Sequence, residues 1–308
     1  MRLIVLFSGQ GQQTLAHRDT VLADGDAEFL RAVEAALAPC GVTLPTLEAS
    51  RLQDNRVAQV LIFALQWVRW QALRAHGHIP VLLAGYSAGE TAAHTAAGLW
   101  TPQTGLALAA QRARLMSAAG AALGEPAGLM AVSGCAPASL TAALEGLQAH
   151  VAIRIGPLQA IVGGTARALE QLAARLEKQG GLQITRLAVE VPAHTPLLQP
   201  VQAPWHAALR ETVGGDPQLA LLSGTRGAVM RTRASALEAL AEQVCTPLAW
   251  DACLDLIAEY RAEAILELGP GTALAHMVAQ RCGRCPVRAV DDFRSFTAVA
   301  EWIAQNAP

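Results

Sequence analysis

The chain has 308 residues, of which 52% are hydrophobic and 16% are charged. This composition excludes an intrinsically disordered chain, which combines low hydrophobicity with high net charge. The 23 basic and 25 acidic residues give a net charge of −2, so the chain lacks the basic excess that neutralises a nucleic-acid backbone. We therefore expect no nucleic acid as a partner.

The apolar segments are too short to cross a membrane. Residues 60–68 contain Gln66 and residues 81–84 end at a glycine, whereas a spanning helix needs about 20 apolar residues. The apolar run at residues 3–7 is shorter than the core of a signal peptide. We therefore expect a cytoplasmic protein with no membrane partner.

The six cysteines do not indicate a disulfide scaffold, which needs many more in a chain of this length. Cys282 and Cys285 form one CxxC pair, but zinc requires four ligands and no second pair lies nearby. His276 is the nearest additional ligand type in the sequence. We therefore predict reduced structural thiols, no metal site and no cofactor.

Strands and helices alternate along the first 120 residues. The apolar run at residues 3–7 predicts a buried strand, because turn-forming residues follow it at positions 8–11. Residues 81–84 predict a second buried strand. Apolar residues at helical spacing predict helices at residues 26–37, 57–73, 90–99 and 103–119.

The order of elements changes in the middle of the chain. It becomes strand, helix, strand, strand, helix, strand, at residues 129–133, 137–147, 151–155, 159–162, 166–179 and 184–191. This β-α-β-β-α-β order is the ferredoxin-like motif. Glycines within residues 120–128 and Pro192 flank it, so we predict an inserted ferredoxin-like subdomain over residues 128–193.

Alternation resumes in the last third of the chain. Strands are predicted at residues 219–222, 264–268 and 287–290, and helices at 197–212, 234–244, 250–260 and 272–281. Repeated strand–helix units predict a mostly parallel sheet covered on both faces. We therefore expect residues 1–127 and 194–308 to form one α/β body around the inserted subdomain.

A GxSxG motif at residues 85–89 joins a predicted strand to a predicted helix. A nucleophile on such a tight turn has strained dihedral angles, and Cβ atoms on either side of it would clash. The free N–H groups at the start of the helix favour a developing oxyanion. A chance GxSxG is common, but one between a strand and a helix is rare, so we predict Ser87 as a catalytic nucleophile.

A catalytic serine needs a base, and the chain has eight histidines. His194 lies in the loop that joins the predicted subdomain to the α/β body, and sites form preferentially in clefts between domains. His276 occupies the late position that an α/β-hydrolase triad would use. The residues alone favour His194 and leave His276 open. Four histidines in polar stretches are expected to face solvent, namely His17, His76, His78 and His150.

Five motifs occur in one order along the chain: SGQGQQ at residues 8–13, GYSAG at 85–89, QRARLM at 111–116, VPAH at 191–194 and ELGPG at 267–271. Together they resemble those of the malonyl-CoA:acyl-carrier-protein transacylases. The resemblance covers essentially the whole chain. It implies an α/β-hydrolase-like body with a ferredoxin-like insertion, and an acyltransferase activity with malonyl-CoA and an acyl carrier protein as partners.

Carried over by position, the resemblance implies a catalytic pair and an oxyanion hole. Ser87 corresponds to the nucleophile, and His194 corresponds to its general base. The backbone N–H groups of Gln10 and Ala88 correspond to the oxyanion hole. The family has no triad carboxylate, and a backbone carbonyl, here that of Gln243, is implied to orient the histidine.

The resemblance also implies a substrate-binding residue. Arg112 corresponds to the clamp on the free carboxylate of a malonyl group, with Gln10 beside it. A guanidinium fork binds a carboxylate through two parallel hydrogen bonds, so this residue type suits the role. Without the resemblance, a solvated helix residue is the ordinary interpretation of such an arginine.

Some motifs depart from the pattern of fatty-acid-synthesis members. Tyr86 stands where those members have histidine, and residues 153–155 read IRI where they have Asn-x-Asn. With the SGQGQQ and GYSxGE forms, these departures resemble the epsilon subunit of malonate decarboxylase. That resemblance implies transfer of malonyl to the decarboxylase's carrier subunit, whose prosthetic group ends in a CoA-like thiol. The alternative is the transacylase of fatty-acid synthesis.

Two further function classes share parts of this pattern. A serine esterase or patatin-like lipase would have the same strand–turn–helix around its serine, called the nucleophile elbow, but would not need Arg112. A non-enzymatic assembly subunit would not need Ser87, His194 and Arg112 together. Arg281, Arg284 and Arg288 form a basic cluster near the C-terminus that could bind an acidic carrier. Surface arginines are common, so a solvated face is the favoured interpretation.

Overall fold

The computed structural model describes residues 2–177 and 181–306, which form two β-sheets and twelve α-helices. The strands are β1 (Leu3–Phe7), β2 (Leu82–Gly85), β3 (Ala127–Ser133), β4 (Ala149–Gly156), β5 (Gln159–Thr165), β6 (Gln183–Arg186), β7 (Leu221–Ser223), β8 (Ala228–Met230), β9 (Leu248–Ala249), β10 (Ala264–Glu267) and β11 (Val287–Ala289).

The helices are α1 (Leu15–Asp24), α2 (Ala27–Leu37), α3 (Asn55–Ala75), α4 (Gly89–Ala96), α5 (Pro102–Ala121), α6 (Pro137–Leu144), α7 (Ala166–Glu177), α8 (Gln199–Arg210), α9 (Arg233–Glu242), α10 (Trp250–Glu259), α11 (Ala273–Cys282) and α12 (Phe296–Gln305). Short 3₁₀ turns occur at Ala38–Cys40, Ala49–Arg51, Pro196–Leu198 and Val290–Asp292.

The larger sheet has the strand order β11-β10-β1-β2-β7-β8 and is parallel except for β8. Every residue of β1 and β2 is buried, as expected for parallel strands covered by helices on both faces. Leu6 of β1 pairs with Ala84 of β2 and with Glu267 of β10. The loops that follow these three strands therefore leave the same edge of the sheet, where α/β proteins bind ligands.

The smaller sheet has the order β6-β3-β5-β4-β9. Its first four strands pair in antiparallel fashion, and with α6 and α7 they form the β-α-β-β-α-β unit. A separate core that includes Leu140, Leu169 and Leu172 joins the helices to the strands. The predicted fold class, a mostly parallel α/β body with a ferredoxin-like insertion, is confirmed.

The boundaries of the two units remain a prediction, because the smaller sheet also recruits a strand from outside residues 128–193. Leu248 of β9 pairs in parallel with Ile153 of β4, which joins the α/β body to the insertion. A two-residue strand is too short to show any hydrophobic period. The sequence therefore contains no signal that would have revealed β9.

Several predicted elements end at other residues. The strand predicted at 184–191 stops at Arg186, and the residues after it leave the sheet as a loop. The helix predicted at 166–179 is present over Ala166–Glu177, and residues 178–179 lie outside the described residues. The helices α1 and α12 were not predicted, and α1 buries only His17 and Val21.

His17 is buried, so the expectation that it faces solvent is wrong. Its Nε2 atom lies 3.0 Å from Oδ2 of Asp291, which also pairs with Arg69. The polar neighbours of His17 in the sequence gave no sign of a partner 274 residues away. Across residues 2–177 and 181–306, no helix is both long and apolar enough to span a bilayer.

Candidate active site

Ser87 occupies a strained turn between β2 and α4. Its φ angle is 54°, in the left-handed region that disfavours residues with a Cβ atom. A Cβ atom on Gly89 would lie 2.1 Å from the carbonyl oxygen of Phe7, and one on Gly85 would lie 2.4 Å from Cα of Glu90. Neither glycine position has room for a side chain, as the strand–turn–helix interpretation of this motif requires.

His194 contacts Ser87 directly. The Ser87 Oγ atom lies 2.7 Å from Nε2 of His194, and Nδ1 of the same ring lies 2.6 Å from the carbonyl oxygen of Gln243. A carbonyl oxygen only accepts hydrogen bonds, so Nδ1 carries the proton and Nε2 presents its lone pair to the serine hydroxyl. The backbone of His194 is also strained, with a φ angle of 62°.

Burial keeps the imidazole of His194 in its neutral form. The side chain is fully buried, and this burial, together with the nearby charge of Arg112, lowers the pKa of His194 to about 3. Burial disfavours the charged imidazolium, and a neighbouring cation disfavours it further. The ring is therefore neutral at physiological pH.

Arg112 of α5 is also buried, with 1% of its surface exposed. Its two terminal nitrogens donate to side-chain amide oxygens, NH1 to Oε1 of Gln59 at 2.7 Å and NH2 to Oε1 of Gln243 at 2.6 Å. Burial lowers the pKa of Arg112 to about 10, so it stays protonated at physiological pH. Among residues 2–177 and 181–306, no carboxylate accepts a hydrogen bond from this guanidinium.

Ser87 and Arg112 line one cavity of about 50 Å³. Gln10 and Ala88 line it as well, and in the described part of the chain neither backbone N–H donates a hydrogen bond. The rest of the lining is mainly apolar and includes residues of both units. The smaller sheet contributes Leu129 of β3, Ile153 of β4 and Ile161 of β5. The cavity is therefore lined by a nucleophile, a buried cation and two residues whose backbone N–H groups are free to donate.

The structure places other candidate residues elsewhere. His276 is exposed on α11 and does not line the cavity. Two of the three arginines near the C-terminus are already paired, Arg281 with Asp255 and Arg288 with Asp292. These pairs leave the cluster with little unpaired charge for an acidic carrier.

Three buried polar residues of the site were missed in the sequence. Gln59 holds Arg112, and its Nε2 atom donates to Asn55 at 2.8 Å. Glu90 lies one turn after Ser87 with 1% of its surface exposed. Gln59 interrupts the apolar face of a strongly apolar helix, and that pattern was the available signal for it.

Comparisons with known proteins identify the family of this chain. The family model described as an acyl transferase domain matches residues 4–307. A malonyl CoA-acyl carrier protein transacylase from Mycobacterium bovis is 31% identical over 94% of this chain and 96% of its own length.

The fold of this chain also matches solved structures of malonyl-CoA:acyl carrier protein transacylases. The crystal structure of MCAT from Mycobacterium tuberculosis has a TM-score of 0.87 and 30% identity over 97% of this chain and 100% of that chain. The malonyl-CoA:acyl carrier protein transacylase from Helicobacter pylori shares the fold, with a TM-score of 0.88 at 23% identity over the whole of both chains. This chain therefore belongs to the acyl transferase family and is an acyltransferase.

Proposed function

We propose that the enzyme transfers a malonyl group from malonyl-CoA to the thiol of an acyl carrier protein through a malonyl-Ser87 ester. The observation that carries this proposal is that Ser87, which contacts His194, and the buried Arg112 line one small cavity. The names of the relatives support the same donor and acceptor.

The first half-reaction follows from the hydrogen bonds at Ser87. As Oγ attacks the thioester carbonyl carbon, its proton passes to Nε2 of His194, and the Gln243 carbonyl stabilises the imidazolium through Nδ1–H. The carbonyl oxygen becomes an oxyanion, and the N–H groups of Gln10 and Ala88 donate to it. Collapse of this intermediate breaks the C–S bond, and His194 returns the proton to the CoA sulfur.

The second half-reaction runs in the opposite sense. His194 takes the proton of the carrier thiol, and the thiolate sulfur attacks the carbonyl carbon of the malonyl-Ser87 ester. Breakdown of the second tetrahedral intermediate breaks the C–Oγ bond, and the proton returns to Ser87. The free enzyme is regenerated without a further cofactor.

Arg112 would select the acyl group. A malonyl group carries a free carboxylate, and a buried guanidinium without a carboxylate partner is a strong binding site for it. The two amide oxygens that now accept from Arg112 hold the guanidinium without neutralising it. A neutral acyl group such as acetyl would leave the cation unpaired in the closed site.

For the acceptor, we propose an acyl carrier protein of the fatty-acid or polyketide type, because the relatives are named for transfer to such carriers or are parts of polyketide synthases. The carrier subunit of a malonate decarboxylase is the second candidate. Two sequence departures favour it, Tyr86 before the nucleophile and the apolar Ile153 and Ile155. Tyr86 is packed edge-on against Trp250, with ring centroids 4.9 Å apart.

Malonyl transfer from malonyl-CoA to two purified carriers tests this proposal. One carrier is a phosphopantetheine-bearing acyl carrier protein, and the other is a decarboxylase carrier subunit with its CoA-like prosthetic group. We expect malonyl thioester to form on the first carrier. A large preference for the second carrier would establish the decarboxylase role. Rapid loss of malonyl to water with neither carrier charged would instead indicate a hydrolase.

A further inference from the structure

Glu90 is a buried carboxyl group for which the proposed mechanism has no use. It is 1% exposed, and within the described residues neither carboxylate oxygen has a hydrogen-bond partner of ordinary geometry. Gly224 makes room for it, because a Cβ atom on Gly224 would lie 2.3 Å from Oε1 of Glu90. Weak interactions with the side chain of Gln243 and the backbone of Gly224, together with the charge of Arg112, favour its ionised form. A buried carboxyl group with so few good hydrogen bonds is costly, so its presence beside the active site needs an explanation.

The side chain of Gln243 contacts both the active site and Glu90. Its Oε1 atom accepts from Arg112 at 2.6 Å, and its Nε2 atom donates to the carbonyl oxygen of Ser87 at 2.9 Å. This orientation of the amide is fixed, because a guanidinium only donates and a carbonyl only accepts. The Gln243 side chain also interacts with the Glu90 carboxyl group and favours its ionised form.

We propose that Glu90 is a positioning residue that acts through Gln243 to set how strongly Arg112 binds the carboxylate of an acyl group. The inference rests on the proposed function. Gln243 bonds Arg112 and also interacts with Glu90, while within the described residues Glu90 and Arg112 form no direct ion pair, so the guanidinium stays open to substrate. A carboxylate in direct contact with Arg112 would compete with the malonyl group.

The charge of Glu90 decides the net charge of the site. With Glu90 protonated, Arg112 gives the site one positive charge, which attracts the malonyl carboxylate. With Glu90 ionised, the net charge is zero and the two carboxylates repel each other. Burial raises the pKa of Glu90 to about 7, and the Gln243 side chain and Arg112 partly oppose that rise. The charge therefore changes within the working pH range.

Three other ionisable groups near Glu90 do not titrate in that range, and a fourth, Glu267, titrates there but lies away from the cavity. Arg112 of α5 stays protonated, and burial raises the pKa of the Cys253 thiol of α10, which stays neutral. On the same helix, burial lowers the pKa of His94 to about 4. Burial also raises the pKa of Glu267 to about 7, but that carboxylate accepts hydrogen bonds from Ser8 and the start of α11 and does not line the cavity.

The pH dependence of KM for malonyl-CoA tests this proposal. In the wild-type enzyme, we expect KM to rise about fivefold between about pH 6 and pH 8, because Glu90 loses its proton over that interval. The inhibition constant of acetyl-CoA, whose acyl group is neutral, should stay constant. Glu90→Gln keeps the shape and removes the charge, so its KM should equal the low-pH wild-type value throughout, with little change in kcat.

Glu190→Gln provides the matched control, because Glu190 is exposed and does not line the cavity. This variant should retain the wild-type profile. A malonyl-CoA KM that does not change with pH in the wild type, or a Glu90→Gln variant with the wild-type profile, would overturn the proposal. Should Glu90→Gln fail to fold, a wild-type KM for malonyl-CoA that does not change with pH still overturns the proposal. Failure of the proposed function is distinguishable, because Ser87 would then acquire no malonyl label at all.

Discussion

In the proposed mechanism, Arg112 is the residue that distinguishes this site from that of a simple esterase. Burying a guanidinium is costly unless its N–H groups are satisfied, and here two glutamine oxygens satisfy two of them. The Nε atom has no partner within the described chain, so the site holds a cation whose hydrogen bonds are incomplete. A substrate carboxylate would complete them.

Arg112→Ala should reduce kcat/KM for malonyl-CoA by about 30-fold or more, since truncating one member of a buried charge pair costs about 2–5 kcal/mol. The malonyl-to-acetyl preference should fall with it, because a neutral acyl group no longer faces an unpaired cation. Steady-state transfer with the two thioesters measures both effects. Arg114→Ala, on the exposed side of α5, is the control and should keep the preference. Unchanged discrimination in Arg112→Ala would remove this residue from the site.

At this scale the sequence predicted the residues whose motifs are distinctive and missed those defined by contacts. Ser87 stands out through its glycines, and His194 and Arg112 through the family resemblance. Gln59 is bound to Arg112 only because α3 packs against α5, which brings together two residues that are 53 positions apart in the sequence. Gln243 was predicted only in part. The role of its backbone carbonyl followed from the resemblance, but its side-chain hydrogen bonds to Arg112 and Ser87 were not predicted.

The elbow between β2 and α4 depends on close approach between α4 and β1. Gly89 lies against the backbone of β1, where a Cβ atom would be 2.1 Å from the Phe7 carbonyl oxygen. The contact places the start of α4 close to the loop that carries Gln10. The strained φ angle of Ser87 is thus stabilised by packing on both sides of the turn.

Gly89→Ala should lower the free energy of unfolding by about 1–3 kcal/mol, the typical cost of inserting an extra carbon into a closely packed site. It should also slow acylation of Ser87, because α4 must move away from β1. Urea unfolding and a labelling time course measure the two effects. Gly215→Ala is the control, since a Cβ atom there would meet open space, and it should change the stability by less than about 0.5 kcal/mol. Wild-type stability and acylation in Gly89→Ala would refute this account of the elbow.

Element types were more predictable than element ends. The long apolar periods of α3 and α5 and the short apolar run of β1 were all identified. The strand β6 was predicted five residues too long, because Leu187, Val189 and Val191 alternate like a strand. Two of these three side chains are fully or nearly buried, and all three face the active-site cavity instead of continuing the sheet.

Across the whole molecule, the site forms where the two sheets meet. The larger sheet supplies Ser87 at the end of a central strand, and the smaller sheet supplies much of the apolar wall of the cavity. β9 pairs with β4 and so connects the two units next to the segment that contains Gln243. The alternation of strands and helices predicted both units, but their relative placement depends on pairings between residues far apart in the sequence.

Detection of a covalent malonyl ester on Ser87 is the most direct test of the central claim. Enzyme mixed with malonyl-CoA in the absence of a carrier is analysed by intact mass and by mapping of the modified peptide. We expect one malonyl group per chain, attached to the peptide that contains Ser87, no adduct in Ser87→Ala, and loss of the adduct when a carrier thiol is added. A malonyl adduct that persists in Ser87→Ala, or transfer to the carrier without any adduct, would contradict the account.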